Sequence, residues 1–355
     1  MQLWILRILL SPFALIYALG VAIRLGLYKY KIYQRIAFSF PVISVGNLSV
    51  GGTGKTPHVE YLLLHLMPYL HLGVLSRGYK RQTVGFRIVE PHSLVRDVGD
   101  EPLQYKLRFP ASAVAVAEQR ALGIPQLLKY DPEIQVVILD DAFQHLGVKP
   151  SINILLTAYQ NPYYQDYLLP LGRLREFRKG YHRADIIIMT KCPPDLKIKE
   201  QQDIIVKLKP LPHQSVFFSY YHYRSPYHFL DSSTRLELTR KMHILLISAI
   251  ANTEYLLSYL SAQVGDVEDI PFEDHHYFSK QEMAQIHNKF KLIPAAEKYI
   301  LTTEKDAVRL TEHLDFVQKE NLPIFVLPVE VNFIKAGSDQ SFLDIIKEKL
   351  LEIKY

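Results

Sequence analysis

The segment that most constrains the fold is a glycine-rich run between an apolar stretch and a helix-forming stretch. A strand is predicted over residues 41–45, and Pro57 stands in the first turn of the helix that follows. The run between them reads Ser49-Val50-Gly51-Gly52-Thr53-Gly54-Lys55-Thr56. A strand, a glycine loop and a helix in this order are typical of a phosphate-binding loop, in which backbone N–H groups and the positive helix N-terminus surround phosphates.

The eight residues of this loop are predicted to bind a nucleoside triphosphate. Lys55 is expected to reach the β- and γ-phosphates, and the Thr56 hydroxyl is expected to bind Mg²⁺. Ser49 departs from the usual G-x-x-x-x-G-K-[ST] pattern, which begins with glycine. A chance glycine-rich turn is the alternative, but the Lys-Thr pair and the flanking strand and helix favour the phosphate loop.

A second segment carries paired carboxylates. Residues 134–139 form an apolar run that ends at Asp140 and Asp141. A buried strand ending in an acid is the pattern that helps to hold Mg²⁺ in proteins with a phosphate loop. Both acids are candidate metal ligands, although adjacent side chains point in different directions, so at most one is expected to face the metal directly.

Short apolar runs alternate with helical stretches along the rest of the chain. Candidate strands are residues 42–45, 72–75, 113–117, 134–139, 152–156, 185–189, 244–248 and 299–301. This alternation predicts an α/β fold with a parallel sheet that is covered on both faces. Two extended runs, residues 214–230 and 324–333, are predicted to pair as a ribbon that flanks a second, smaller α/β unit.

The composition sets limits on the class of protein. A length of 355 residues suits about two domains, and 48% hydrophobic against 22% charged residues argues against disorder. Cys192 is the only cysteine, which excludes an intramolecular disulfide and a Cys/Cys metal site and fits a reducing compartment.

The N-terminal segment predicts contact with a membrane. Residues 8–23 are 16 consecutive uncharged, mostly apolar residues, and residues 1–39 contain no acid. The basic residues there are Arg7, Arg24, Lys29, Lys31 and Arg35. They match the net charge of +5 of the whole chain, so the excess lies beside the apolar segment rather than on a nucleic-acid-binding face.

Several interpretations of this segment remain open. It is either monotopic or marginally spanning, since a bilayer takes about 20 residues. A buried core helix and a cleaved signal peptide are the alternatives. The positive-inside rule places the globular part in the cytosol.

The sequence gives no support for guanine specificity. GTPases carry Asn/Thr-Lys-x-Asp after a strand. The nearest segments here are residues 190–193 and 303–306, and neither has the Lys-x-Asp spacing.

Several runs together resemble the tetraacyldisaccharide 4'-kinase family, LpxK. They occur in family order and read SVGNLSVGGTGKTP (44–57), LSRGY (75–79), GDEP (99–102), DDAFQH (140–145), LPLGRLRE (169–176), RAD (183–185), DH (274–275) and TTEKDAV (302–308). Ala142 stands where the family usually has glycine. The resemblance implies an α/β/α domain like those of P-loop NTPases, a smaller α/β domain, and a membrane-associated N-terminal helix.

The function that the resemblance implies is phosphoryl transfer from ATP with Mg²⁺ to the 4'-hydroxyl of a tetraacylated glucosamine disaccharide 1-phosphate. The expected location is the cytoplasmic face of a Gram-negative inner membrane, with no nucleic acid and no obligate protein partner. The expected divisions are residues 1–38 (membrane segment), 39–215 (kinase domain), 216–333 (second domain with linker strands) and 334–355 (C-terminal helix). A membrane-tethered NTPase switch or metallochaperone is the alternative function.

The resemblance also implies a catalytic pair, Asp100 and His275, which acts together with Lys55. A carboxylate that orients a histidine makes it a suitable proton acceptor near neutral pH. His276 is an alternative to His275. Asp100 as a turn or cap residue is the structural alternative.

Further candidates surround this centre. Glu176 is a candidate metal ligand. Candidate substrate residues are Tyr79, Arg120, Gln144, His145 and Arg175. A surface ion pair is the alternative for Arg175 and Glu176, and a helix cap is the alternative for Arg120. A basic run is a candidate for contact with the 1-phosphate or with anionic headgroups, and a solvated basic face is the alternative. It is formed by Arg173, Arg175, Arg178, Lys179 and Arg183.

Overall fold

The computed structural model describes residues 2–251, 253–335 and 340–353, with side chains described from residue 8 onward. The helices are α1 (Gln2–Lys29), α2 (Lys55–Leu66), α3 (Val95–Val98), α4 (Asp100–Arg108), α5 (Arg120–Tyr130), α6 (Ile198–Leu208), α7 (Glu254–Gln263), α8 (Lys280–Leu292), α9 (Glu304–Leu310), α10 (Leu314–Lys319) and α11 (Phe342–Glu352). The strands are β1 (Ile36–Ala37), β2 (Val42–Asn47), β3 (Leu72–Ser76), β4 (Arg87–Ile88), β5 (Ala113–Val116), β6 (Val136–Asp140), β7 (Val148–Lys149), β8 (Ile152–Ala158), β9 (Ile186–Thr190), β10 (Ser215–Tyr223), β11 (Tyr227–His228), β12 (His243–Ser248), β13 (Asp266–Pro271), β14 (Lys298–Thr303), β15 (Ile324–Leu327) and β16 (Val329–Phe333).

The larger sheet follows the order β16-β10-β9-β8-β2-β6-β3-β5-β4. Its strands from β10 to β5 pair in parallel, and β16 and β4 are antiparallel strands at the two edges. The central strands β2, β3, β6 and β9 are buried along their whole length, as expected for a parallel sheet covered on both faces. The predicted parallel α/β sheet is therefore confirmed.

The smaller sheet follows the order β11-β15-β14-β12-β13, with β11 antiparallel to its neighbour. The nine-stranded sheet and the helices packed on it are called the larger unit. The five-stranded sheet and its helices are called the smaller unit. The two predicted extended runs pair as β10 and β16, in antiparallel register from Ser219 opposite Phe333 to Tyr223 opposite Val329. This pairing confirms the predicted ribbon.

The domain boundaries at residues 38, 215 and 333 stay predictions. The ribbon strand β10 also pairs with β9 and so belongs to the larger sheet. Within the predicted C-terminal segment, α11 packs Phe342 on Phe333, with ring centroids 4.6 Å apart. Residues 336–339 and 354–355 of that segment lie outside the described residues.

Three helices that begin at the same cleft are joined by one arginine at the C-terminal end of α4. Lys55 begins α2, Asp100 begins α4 and Glu304 begins α9. Arg108 of α4 donates to Glu60 of α2 at 2.8 Å and to Glu304 at 2.9 Å. Burial and the nearby Glu304 raise the pKa of Glu60 to about 8, and the Arg108 guanidinium opposes this shift.

Helix α1 lies on the outside of the larger unit. Residues Ile8–Lys29 have a mean hydropathy of 2.0, and only 6% of this stretch is buried, which speaks against the buried-core alternative. Among the side chains that the structure describes, from residue 8 onward, two hydrogen bonds join this helix to distant parts of the chain. The Tyr17 hydroxyl donates to the Arg175 carbonyl at 2.9 Å, and the Arg24 guanidinium donates to the Gln144 carbonyl at 2.7 Å.

We expect the outer face of α1 to hold the protein at a membrane. Leu15 and Leu19 are 72% and 62% exposed and lie one helical turn apart. The double substitution Leu15→Glu and Leu19→Glu places charge on this face without touching Tyr17 or Arg24. It should move most of the protein from the membrane fraction to the soluble fraction on ultracentrifugation, because charged side chains are costly to bury in lipid.

The matched control is Val206→Glu on α6, where the valine is 72% exposed. This variant should sediment with the membranes as the unaltered protein does. A double variant that also stays with the membranes would mean that another segment is the anchor.

Candidate active site

The phosphate loop leaves the carboxyl end of β2, in the middle of the larger sheet. A strand-like segment braces its entrance: Val50 N–H donates to the Arg173 carbonyl at 2.7 Å, and Arg175 N–H donates to the Leu48 carbonyl at 2.8 Å. The loop ends at α2, whose first turn has no side-chain cap. The free N–H groups of that turn can therefore bind an anion.

Gly54 is required at the last turn of the loop for two reasons. Its φ of 86° lies in the left-handed region, which residues with a side chain rarely adopt. A Cβ at this position would also collide with the Tyr221 hydroxyl. The loop thus fits closely against the ribbon strand β10.

Two cations and one carboxylate face each other beside the loop. Lys55 Nζ lies 3.7 Å from Asp141 Oδ1, and Arg175 donates to both Asp141 oxygens at 2.9 and 3.2 Å. Arg175 also donates to the Asn47 side chain. Burial alone would raise the pKa of Asp141, but Lys55 and Arg175 outweigh burial and hold this pKa well below its usual range. Asp141 is therefore ionised and keeps both cations pointed at the loop.

Asp140 has a different environment from its neighbour. It is fully buried, and its Oδ2 accepts from the Ser76 hydroxyl at 3.0 Å. Burial, Glu101 and Asp141 raise its pKa to about 7. Among the described residues its Oδ1 has no hydrogen-bond partner. Asp141 lines the cleft, whereas Asp140 is not among the lining residues. Which of the two acids faces a metal ion stays a prediction.

The oxygen atoms beside the loop are suitable ligands for a magnesium ion whose coordination shell is completed by phosphates and water. The Thr56 hydroxyl donates to Glu101 Oε1 at 3.2 Å, close to the start of α2. In the part of the chain that the structure describes, no group of three or more His, Cys, Asp or Glu residues is arranged to hold a metal ion. Mg²⁺ with bound nucleotide needs only one or two protein carboxylates, which Glu101, Asp141 and the unpaired oxygen of Asp140 can supply.

A buried carboxylate, Asp100, is paired with groups from the smaller unit. His275 Nδ1 lies 2.9 Å from Asp100 Oδ2, and Arg309 also donates to this oxygen. Lys305 Nζ lies 3.9 Å from the same oxygen. Burial would raise the pKa of Asp100, but Lys305, the His275 hydrogen bond and Arg309 together lower it well below its usual range. Asp100 is therefore an anion that accepts the Nδ1 proton of His275.

Lys305 lies between the Asp100–His275 pair and the cleft. Its Nζ is 3.2 Å from His275 Nε2, 3.4 Å from Glu101 and 3.5 Å from Asp274. An ammonium group has only donors, so this contact needs a neutral imidazole whose Nε2 accepts. Asp100 then fixes the tautomer with the proton on Nδ1.

The structure distinguishes the two neighbouring histidines. His276 Nε2 pairs with Glu282 at 3.0 Å, and its ring stacks on Phe272 with centroids 4.9 Å apart. His275 faces Asp100 and lines the cleft, and its ring centroid lies 5.0 Å from that of Tyr79. The geometry therefore favours His275 as the partner of Asp100.

Both centres open onto one cleft of about 500 Å³ between the two units. The phosphate loop, Asp141 and Arg175 line one side, and His275 and Lys305 line the other. Aromatic and apolar side chains also line the cleft. They include Tyr221, Tyr223, Ile250, Tyr255 and Leu256.

Similarity to known proteins identifies the family. A family model described as tetraacyldisaccharide-1-P 4'-kinase, LpxK, matches residues 6–350. The chain belongs to this family. The tetraacyldisaccharide 4'-kinase of Bacteroides thetaiotaomicron is 41% identical over 342 residues, which cover 93% of this chain and 90% of the relative. That of Flavobacterium johnsoniae is 40% identical over 348 residues, which cover 98% and 99%.

A solved structure of the LpxK family supports the same conclusion. The crystal structure of LpxK from Aquifex aeolicus in complex with ATP matches with a TM-score of 0.74 at 26% identity, covering 99% of this chain and 100% of that one. The family, the α/β fold and the kinase class predicted from the sequence are confirmed by these similarities.

Six predicted residues are not part of the cleft lining: Asp100 and Asp140, whose contacts are given above, and Arg120, Gln144, His145 and Glu176. Gln144 donates to the Asn47 carbonyl at 2.7 Å and to Glu176 at 3.0 Å, on the side where α1 contacts the sheet. Glu176 is buried and pairs with Arg183 at 2.7 Å. Its predicted metal role is not reflected in these contacts, which are those of a buried ion pair.

Arg120 and His145 form a pair of their own. Arg120 is 1% exposed and donates to the carbonyls of Ala117 and Asp140 at 2.7 and 3.0 Å. His145 Nε2 accepts from the Arg120 backbone N–H at 3.1 Å. Since Arg120 begins α5, this placement favours its structural alternative at the helix end over direct contact with substrate.

Several residues that the structure brings to the site are not predicted from the sequence. Glu101 and Lys305 lie within runs that carried the family resemblance, and Tyr221 lies in the aromatic run predicted as a strand. Lys191 was considered only as part of a guanine-reading element. Each of these residues lies in a sequence run with a recognisable pattern, but no spacing rule connects these runs with the phosphate loop.

We expect His275→Ala to lower kcat about 10²- to 10⁴-fold, the usual contribution of a general base. The KM for ATP should change little, because the loop does not contact His275 in this arrangement. The measurement is steady-state phosphoryl transfer at saturating nucleotide.

His276→Ala is the matched control, since it removes the same side chain one residue further on. Its kcat should stay within about threefold of the unaltered enzyme, because His276 contacts Glu282 and Phe272 rather than Asp100. Equal losses in both variants would contradict the assignment of His275 to the catalytic pair.

Proposed function

We propose that this chain transfers the γ-phosphoryl group of ATP to the 4'-hydroxyl of a tetraacylated glucosamine disaccharide 1-phosphate, a step of lipid A biosynthesis. The observation that carries the proposal is that the phosphate loop and His275 line one cleft. A donor site and a proton acceptor on facing walls are what phosphoryl transfer requires. Membership of the kinase family supplies the acceptor class.

The donor side is formed by the larger unit. Backbone N–H groups of residues 49–56 and the first turn of α2 surround the triphosphate, and Lys55 contacts its β- and γ-phosphates. Thr56, Asp141, Asp140 and Glu101 would hold Mg²⁺, directly or through water. When bound, Mg²⁺ neutralises the charge of the triphosphate.

The ion pair between Lys55 and Asp141 prepares the loop for this ligand. Asp141 also binds Arg175, so both cations stand at the cleft before the nucleotide arrives. Positioned charges of this kind stabilise the developing charge of the transition state without reorganisation.

The acceptor side is formed by the contact between the units. Asp100 accepts the Nδ1 proton of His275, which leaves Nε2 as the base. The sugar hydroxyl takes the place of Lys305 at Nε2, and Lys305 stays paired with Glu101 and Asp274. The hydroxyl oxygen bonds to the γ-phosphorus, its proton moves to Nε2, and the bond to the oxygen of the ADP leaving group breaks.

The lipid reaches this site from the side of α1. The hydrogen bonds of Tyr17 and Arg24 place the helix beside Arg175 and Gln144, which lie next to the loop. We assign Tyr79, Gln144, His145 and Arg175 to contacts with the disaccharide, and Arg120 to support of His145. The acyl chains would remain in the membrane that α1 contacts, at its cytoplasmic face.

The competing function is a membrane-tethered NTPase switch or metallochaperone. Such a protein needs the phosphate loop but has no use for a base on the opposite wall. The histidine–aspartate pair beside the loop therefore favours the kinase.

The test is transfer of labelled γ-phosphate to purified tetraacyldisaccharide 1-phosphate in detergent, with full-length protein. We expect a 4'-phosphorylated product, and we expect Lys55→Met to reduce it at least a hundredfold, because the variant keeps the length of the side chain and loses its charge. Folding of the variant is checked by its thermal unfolding midpoint.

ATP hydrolysis without any phosphorylated lipid would favour the switch and reject the kinase. A fully active Lys55→Met protein would reject the assignment of the donor site.

A further inference from the structure

Lys191 is a cleft residue that the proposed reaction does not use. It follows β9, has a left-handed φ of 56° and lines the same cleft as the phosphate loop. The preceding residue is fixed to the loop, since the Thr190 hydroxyl donates to the Thr53 carbonyl at 2.8 Å. The backbone of Lys191 is thus held at a set distance from the nucleotide-binding loop.

Among the described residues, the Lys191 ammonium has no counter-ion. Its Nζ lies 5.6 Å from the centre of the Tyr221 ring and 3.7 Å from the position of a Cβ on Gly52. Across the described ranges of the chain, no carboxylate lies within ion-pair distance of this group. Burial lowers the pKa of Lys191 to about 8, and the aromatic ring compensates this cost only in part.

The other cleft lysines differ in this respect. Lys55 is paired with Asp141, and Lys305 is paired with Glu101 and Asp274. Lys191 therefore stands beside Gly52 with its charge available to a ligand, at a place that the triphosphate occupies if the loop binds it.

The sequence element that contains Lys191 also indicates how the nucleobase of the nucleotide is held. In Asn/Thr-Lys-x-Asp elements the aspartate reads guanine, and here Pro193 stands at that position. The Thr-Lys pair is kept without the carboxylate. The lysine can pack on a base, but this element cannot select guanine.

We propose that Lys191 positions the nucleotide: its methylene stem covers one face of the base, and its ammonium contacts the phosphates beside Gly52. The inference rests on the proposed function only in requiring that the cleft binds ATP. It adds a nucleotide-contacting residue outside the phosphate loop, and it assigns recognition of the base to packing rather than to a carboxylate.

The test separates the contribution of the Lys191 charge to ligand binding from that of its methylene stem. The full-length protein is titrated in a calorimeter with ATP and with inorganic tripolyphosphate, each in the presence of Mg²⁺. Lys191→Met keeps an unbranched stem and removes the charge, so it should weaken both ligands about tenfold to a hundredfold, the effect of a lost charge-assisted hydrogen bond. Lys191→Ala also removes the stem, so it should weaken ATP about tenfold further and leave tripolyphosphate at the affinity of Lys191→Met.

Lys209→Met is the matched control, because Lys209 is also left-handed, with a φ of 52°, but lies exposed at the end of α6. It should bind both ligands like the unaltered protein. Lys191→Arg retains the charge and should keep most of the affinity, which separates a role in binding from a role in folding.

The inference is overturned if Lys191→Met binds ATP as tightly as the unaltered protein, or if Lys191→Ala weakens ATP no more than Lys191→Met does. These outcomes are independent of the lipid reaction. Unaltered protein that binds ATP but transfers no phosphate would reject the proposed function and leave the role of Lys191 standing.

Discussion

The arrangement of the cleft depends on one buried carboxylate. Asp100 begins α4 of the larger unit, yet the groups that compensate its charge, His275, Lys305 and Arg309, all come from the smaller unit. A buried carboxylate without partners costs several kcal/mol, and removing one partner of a buried pair typically costs about 3–5 kcal/mol. The two units are therefore held together at the point where the proposed chemistry takes place.

This constraint explains why the donor and acceptor groups face each other. The parallel sheet places the ends of β2 and β6 side by side, with Val45 opposite Asp140, so the phosphate loop and the paired acids share one edge. The Asp100 cluster then brings His275 to the opposite wall. Glu101, next to Asp100 in the chain, contacts both Thr56 and Lys305 and so connects the proposed metal site with the proposed base.

The features that could be predicted from sequence are local ones. The glycine loop, the strand that ends at Asp140 and the alternating apolar runs each lie within a short segment, and the structure confirms the sheet and the ribbon that they predict. The Asp100–His275 pair joins residues 175 positions apart, and only the family resemblance suggested it. Lys305, Arg309 and Tyr221 had no local pattern that linked them to the loop.

Some predicted roles depend on whether a side chain is buried, and the spacing of residues in the sequence does not show this. Arg120 was a candidate for the substrate, but its guanidinium is enclosed and bonded to carbonyl groups. Glu176 was a candidate metal ligand, but Arg183 and Gln144 occupy its carboxylate. Both side chains are polar and lie in suggestive sequence runs, and only the packing of the sheet determines which way they point.

The measurement that tests the central claim most directly is a crystal structure of this protein with a non-hydrolysable ATP analogue and Mg²⁺. If one cleft serves both substrates, the γ-phosphate should lie within about 3 Å of Lys55 Nζ. His275 should then lie on the side of the γ-phosphorus opposite the ADP leaving group. A triphosphate bound in the loop with its γ-phosphate turned away from His275, or one bound outside the cleft, would contradict the account.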